Sequence, residues 1–496
     1  MRERKELGVR DSVVVVMASQ FVGVLALVGV PMVLIRTLSI ADYGLYGQFQ
    51  LLLQTFLIFG IAGFPEALVY FVARRRAATA DFLLGAMMQL AVALLVVMAV
   101  VILGRQIILG WIVDSAMSQF VLPTLLAVVF YAIGDTLFTA QTAQRRFRTF
   151  SIVYIAFALL QSAVVATVAV VTKRLDAVIW AYVWTGGAKA IGALVYIGIE
   201  VAKTGWTARP RMLREQWGYA LPYTGTQSLK KLNGLAHRFF ISSSFSPGDF
   251  AVYDIATKKV PALGLVRGSF VQVMTPHFAE MEEQKRHKAI LALWHASASR
   301  LAIFYFPITA ALIAFAPEAI TLVFTDKVAA AIPIFRIFAL IMVWDSLSGL
   351  ESLLKAFAQN RFILWTTAVQ SAVILSGSWV GLHWLGLAGP AIAALVSFSI
   401  GQWIRLVRVR ALLAVTYGDL LPWRQLGLCA LAATASAAVG WGLGKIAPTS
   451  LGTVVIGLST TFAVYVIGAM RLGLVPRSEK ERLAAVWRRL VSGGHD

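Results

Sequence analysis

Six fixed cations define the chemistry open to one stretch of this sequence, Gln227 to His277. The stretch reads QSLKKLNGLAHRFFISSS, then FSPGD, then FAVYDIATKKVPALGLVRGSFVQVMTPH. Lys230, Lys231, Arg238, Lys258, Lys259 and Arg267 interrupt segments that otherwise look like transmembrane helices, where a cation costs roughly 2.5 to 3.5 kcal/mol. Such residues should face a wet cavity or a bound anion. At about 100° per residue, Lys230, Lys231, His237 and Arg238 share one stripe of the first segment, and Asp254, Lys258 and Pro261 one stripe of the second. A plainer reading stands beside this one. Arg238 and Arg267 snorkel to the interfaces, and Lys258 is neutralised by Asp254 one turn earlier.

Further chemistry-bearing residues lie elsewhere at membrane depth. Lys189 sits mid-way through YVWTGGAKAIGALVY, where Gly186 and Gly187 allow close helix approach. Glu66 follows GFP, and Asp135 lies in YAIGDTLF. With Asp254 these acids are candidates for gating or coupling; for Glu66, Asp135 and a third embedded acid, Asp345, the favoured reading is as partners for arginines at the inner helix ends. Tyr154, Trp180, Tyr182, Trp184, Tyr223 and Tyr253 offer flat faces with polar tips for sugar rings, although such residues also gather at membrane interfaces for structural reasons.

The elements that must position these groups follow from composition. The chain has 496 residues, of which 59% are hydrophobic and only 14% charged. A polytopic, all-α membrane protein is predicted rather than a soluble domain with a large core. The formal charge of +20 would suggest nucleic acid in a soluble protein, but here most of it flanks apolar runs, and no nucleic-acid partner is expected. Metal-ligand spacing and a P-loop are missing from the sequence, so no cofactor, metal or direct ATP hydrolysis is expected, and no catalytic residue is assigned. The lone cysteine, Cys429, excludes an intrachain disulfide.

Apolar runs predict about fourteen spans by the roughly 20-residue rule. They fall near 12–35, 45–73, 81–104, 119–142, 150–172, 178–200, 216–241, 249–276, 299–324, 331–354, 362–382, 387–413, 425–444 and 451–471. Arginine and lysine concentrate in alternate connections, which places both termini in the cytoplasm. The connection from His277 to Ala298 reads as an amphipathic helix along the surface, and the tail from Arg477 to Leu490 as another. Pro31, Pro65, Pro261, Pro276 and Pro307 are candidate bends. A short acidic turn followed by Phe or Tyr and a long span occurs twice, at LSIADYGLYG and FSPGDFAVYD. This predicts two six-helix lobes, 1–200 and 201–415, followed by helices 13 and 14 with a basic tail over 416–496.

LSIADYGLYGQFQLLLQTFLIFGIAGFPEALVYFVAR, QTAQRRFRTFSIVYI and HRFFISSSFSPGDFAVYDIATKKVPALG together resemble the polysaccharide-transport flippase branch of the multidrug/oligosaccharidyl-lipid/polysaccharide exporter superfamily. The resemblance covers about residues 10 to 415. It implies a two-lobed helical bundle in the bacterial plasma membrane that alternates access, moving polyprenyl-pyrophosphate-linked oligosaccharide outward for cell-surface or exopolysaccharide synthesis. Membrane lipids, a polysaccharide polymerase and glycosyltransferases would be its other partners. In relatives an Asp often precedes the arginine of HRFFI; here it is His237, which makes the segment more basic. The lysines and arginines named above would then hold the pyrophosphate. A lipid-II-type flippase and a multidrug cation antiporter of the same superfamily are the alternatives, and the net positive embedded charge speaks against the antiporter.

Overall fold

Hydrocarbon offers the backbone no hydrogen-bonding partner, so a chain this apolar has to satisfy its amides internally. The computed structural model describes residues 9–61, 63–74, 78–104, 115–205, 210–258 and 261–474, and no strand occurs among them. Helix 1 is Val9–Thr37, and helix 2 is Ile40–Ile61 continued by Phe64–Arg74. Helices 3 to 6 are Thr79–Leu103, Val121–Ala143, Phe147–Thr172 and Leu175–Thr204. Helix 7, Pro210–Ser244, precedes a broken helix 8 of Pro247–Ala256 and Pro261–Glu283. Helix 9 is His287–Ala314 with Ala316–Val323, and helix 10 is Ala331–Ile341 and Gly349–Ala356 around a 3₁₀ stretch, Met342–Leu347. Helices 11 to 14 are Asn360–Leu385, Ala388–Leu413, Trp423–Gly444 and Ser450–Arg471.

Twelve of these are long and apolar enough to cross a membrane. Helices 7 and 8 are not among them: helix 7 carries Lys230, Lys231 and Arg238, and helix 8, which carries Asp254 and Arg267, is interrupted beside Lys258. The same charges that make them functional candidates lower their hydropathy.

Glycine and proline set the interruptions. Helix 2 breaks at Gly63, whose φ of +66° is costly for any residue with a Cβ, and Pro65 restarts the helix with a pre-set φ. An added Cβ at Gly63 would lie 2.5 Å from Thr224 Oγ1 and 2.7 Å from the Ala220 carbonyl, so the break rests directly on helix 7. Pro261 restarts helix 8 in the same way. Pro31, Pro276 and Pro307 lie inside continuous helices.

One expectation is corrected. No separate surface helix occupies 277–298: helix 8 runs on to Glu283 and helix 9 starts at His287. Between them lies a tight corner in which Lys285 takes a left-handed φ of 54°, and the Arg286 amide bonds back to the Met281 carbonyl at 2.9 Å. The polar run EMEEQKRHK caps two long helices instead of forming a third. The predicted tail helix, 477–490, lies outside the described residues.

Two compact units result. The first comprises Met1–Leu265 with Thr367–Ser397, and the second Val266–Thr366 with Phe398–Asp496. Within the first, helices 2 and 8 meet where their N-termini are capped alike. Ser39 Oγ accepts the Asp42 amide at 3.0 Å, and Ser246 Oγ accepts the Asp249 amide at 3.2 Å. A Cβ on Gly44 would come within 1.7 Å of the Pro247 carbonyl oxygen, so only glycine permits this approach. The second unit is held by a core around Trp294, Phe278 and Leu353, with Trp294 Nε1 donating to the Leu420 carbonyl at 3.0 Å. There helices 13 and 14 close on each other through Gly440 and Gly457, a small-residue contact suited to lipid.

Candidate functional site

The cap on helix 8 presents Asp254 on the face that packs against helices 2 and 7. Only 2% of its side chain is exposed, and a lone carboxylate buried so deeply would be severely destabilising. Three donors compensate. Arg238 from helix 7 pairs with Oδ1, Lys258 pairs with Oδ2 at 2.8 Å, and the Tyr43 hydroxyl of helix 2 reaches Oδ2 at 3.4 Å. Beside them Tyr253 shares a hydrogen bond with His237 Nδ1 at 2.9 Å. Two cations therefore share one acid, and the surplus charge lies towards Lys258, whose side chain is 39% exposed at the break in helix 8. Gly47 makes room for the cluster, because a Cβ there would press on Phe250 and approach the Asp254 carboxyl at 3.6 Å.

Lys230 and Lys231 stand two turns earlier on helix 7. Lys230 is half-buried and Lys231 is exposed. Lys231 lines a small cleft with Gln227, Ser228 and Thr224, opposite Gly63 and Pro65 at the break in helix 2. A cation, hydroxyls and an amide thus converge on the point where a helix restarts, the kind of interruption that membrane transporters use for ion and substrate contacts.

Lys189 reaches Asp135 across helices 4 and 6, and its ammonium lies 4.6 Å from the Phe138 ring centre. Gly134 opens the way: a Cβ there would sit 2.7 Å from Lys189 Cγ. Gly186 brings the same two helices together, since its Cβ would meet the Tyr131 ring at 2.5 Å. In the second unit Arg267 pairs with Asp345 at 2.9 Å. Lys259 and the side chains of Glu66 and Tyr223 lie outside the described residues. Of the aromatic candidates, Tyr253 is fully buried, Trp184 is largely exposed, Tyr154 stacks on Phe150 and Tyr182 on Tyr131.

Sequence reasoning passed over several polar groups that the packing makes prominent. Arg405 counted only as a basic flank, yet it is buried and donates to Thr366 Oγ1 at 3.4 Å and Gln402 Oε1 at 3.3 Å. Gln50 and Gln161 lie in apolar runs, and both reach the Tyr182 hydroxyl region. Amides at mid-span were the available signal for them.

Twelve helices long and apolar enough to span a membrane define a multi-pass membrane protein. Over residues 33–333 the chain matches the family described as Polysaccharide biosynthesis protein, and it belongs to that family. A comparison with curated protein sequences finds no match. Among solved structures, the lipid II flippase MurJ in an inward closed conformation aligns with a TM-score of 0.70 at 12% identity, covering 92% of this chain and 98% of that one. A multidrug resistance MATE family transporter of the MOP superfamily, inward-facing, aligns at 0.57 and 12% identity over 82% and 96%. The Vibrio cholerae MATE transporter VcmN aligns at 0.55 and 15% identity over 82% and 98%. The fold is therefore the one shared by these transporters.

Proposed function

We propose that this protein is a flippase that moves lipid-pyrophosphate-linked oligosaccharide repeat units across the bacterial plasma membrane by alternating access, with both termini cytoplasmic. The observation that carries the proposal is the surplus of cations around Asp254 on helices 7 and 8, in a chain of the polysaccharide biosynthesis family. A pyrophosphate leaving water needs fixed donors to replace its hydration, while the lipid tail stays in hydrocarbon. Lysine suits temporary holding, because a flexible point charge releases phosphate more easily than a bidentate arginine. In this reading Lys230, Lys231 and Lys258 receive the phosphates, with Lys259 beside them, and Asp254 fixes Arg238 as part of the scaffold.

The two-lobe organisation belongs to the same proposal. It is supported by corners that recur in both halves of the sequence. Arg145 and Ala358 take φ of 58° and 53° between helices 4 and 5 and between 10 and 11, and Lys173 and Gly386 take 53° and 56° between helices 5 and 6 and between 11 and 12. Both pairs are the same distance apart in the chain.

The test is flipping of a fluorescent lipid-pyrophosphate oligosaccharide in proteoliposomes. Changing Lys230, Lys231, Lys258 and Lys259 together to Gln should reduce transport at least about tenfold while the protein stays folded, the order expected for losing charge-assisted hydrogen bonds. Undiminished transport by that variant overturns the cationic path. Preferential movement of lipid II, or of organic cations, by the unaltered protein would reassign the substrate.

A further inference from the structure

A second polar cluster in the first unit differs in charge from the one at helices 7 and 8. Helices 2, 4, 5 and 6 bring Gln50, Asp135, Gln161, Tyr182 and Lys189 towards one another. The Tyr182 hydroxyl lies beside the side chains of Gln50, Gln161 and Tyr131. Gln50 Nε2 donates to the Tyr46 hydroxyl at 2.9 Å, which orients its amide. Tyr182 stacks on Tyr131 with ring centres 4.9 Å apart, and Lys189 is gripped between Asp135 and the faces of Phe138 and Tyr131.

Two properties of this cluster point to a ligand and to its class. Asp135 keeps 40% of its side chain exposed although it lies inside the candidate span Ala116–Ala143. An ionised carboxylate cannot face lipid cheaply, so it faces a wet space. The second property is neutrality: one ammonium and one carboxylate cancel, so the patch has no surplus charge with which to attract a phosphate. It offers instead a carboxylate acceptor, an ammonium donor, two amides that both donate and accept, and aromatic surfaces. That is the complement of a neutral polyhydroxylated ring, whose hydroxyls each donate and accept and whose C–H face lies flat on an arene.

We propose that Gln50, Asp135, Gln161, Tyr182 and Lys189 form a glycan-binding patch, so that the sugars are read by the first six helices and the pyrophosphate by helices 7 and 8. This inference rests on the transport reading above. It makes Lys189 a sugar contact held in place by Asp135 instead of a phosphate ligand.

The experiment measures equilibrium binding to the full-length protein in nanodiscs. The two probes are the polyprenyl-pyrophosphate-linked oligosaccharide purified from the producing cells and polyprenyl pyrophosphate carrying no sugar. The unaltered protein should prefer the glycosylated lipid by about tenfold, the worth of one or two neutral hydrogen bonds. Gln161→Leu should abolish that preference and leave binding of the sugar-free lipid unchanged, whereas Asp135→Asn should abolish it by tightening binding of the sugar-free lipid, because Lys189 then carries surplus charge. Gln161→Leu strands no charge, so it remains informative if Asp135→Asn fails to fold. Equal binding of the two lipids by the unaltered protein would overturn the glycan patch while leaving the flippase standing. An equal loss for both lipids in Gln161→Leu would make the patch structural. If the unaltered protein binds neither lipid, the transport reading itself falls.

Discussion

Asp254 shows how one side chain governs several others. It is the shared counter-ion of Arg238 and Lys258 and an acceptor for Tyr43, so it ties helices 2, 7 and 8 together. Asp254→Asn leaves Arg238 buried without its acid, and breaking a buried pair in this way costs about 3–5 kcal/mol. Thermal unfolding in detergent should therefore show a large drop for Asp254→Asn and a much smaller one for Lys258→Gln, because Lys258 retains access to water. The i,i+4 spacing made the Lys258–Asp254 pair legible from sequence. Arg238 was not legible as a partner of Asp254: it is 16 positions away on another helix, and only docking brings it within reach.

Interrupted helices dominate at the scale of elements. Gly63 is confined by its positive φ and by the approach of Thr224 and Ala220. Gly63→Ala should lower stability by about 1–3 kcal/mol through backbone strain, measured as a fall in the unfolding midpoint. Adding Thr224→Ala should not restore it, since the Ala220 carbonyl and the left-handed backbone both remain. Gly44→Ala should be worse still: its Cβ would collide with the Pro247 carbonyl, and backbone cannot swing aside as a side chain can. That variant is expected to prevent recovery of folded protein, seen as loss of the monodisperse peak in size-exclusion chromatography. The acidic turns at LSIADYGLYG and FSPGDFAVYD were legible because turn chemistry is local, and in the structure Ser39 and Ser246 cap the helices that follow. The corner at Lys285 was misread because a polar run between apolar runs has the same composition as an amphipathic surface helix. Its left-handed φ and its bond to the Met281 carbonyl are properties of the folded backbone.

Orientation and driving force are whole-molecule properties. Basic residues predict that the corners at Arg145 and Lys285 face the cytoplasm and that Lys173 and Lys327 face outward. Single cysteines at these four positions, labelled in intact cells with an impermeant maleimide, should react only at the outward pair. Buried Cys429 adds little background. Reaction at the Arg145→Cys or Lys285→Cys sites would invert the topology. For a flippase of an anionic lipid, an inside-negative potential favours export by about 2.3 kcal/mol per charge per 100 mV. A potassium diffusion potential across proteoliposomes should speed outward flipping, and its reversal should slow it. Equal rates under both polarities would mean that the moving complex carries no net charge.

Hydropathy, helical periodicity and the placement of arginine and lysine are properties of neighbouring residues. The sequence by itself therefore determined an all-α membrane protein, the positions of most of its helices, the interruptions at Pro65 and Pro261 and the concentration of cations near helices 7 and 8. Tertiary structure alone decided which charges spend themselves on partners. Lys189 meets Asp135 from 54 positions away, and Arg267 meets Asp345 from 78. It also decided that Gln50 and Gln161, inconspicuous in their apolar runs, converge on Tyr182. The physical reason is that a helix sets the face on which a side chain lies, whereas the charge and polarity opposite that face are set by how the helices dock.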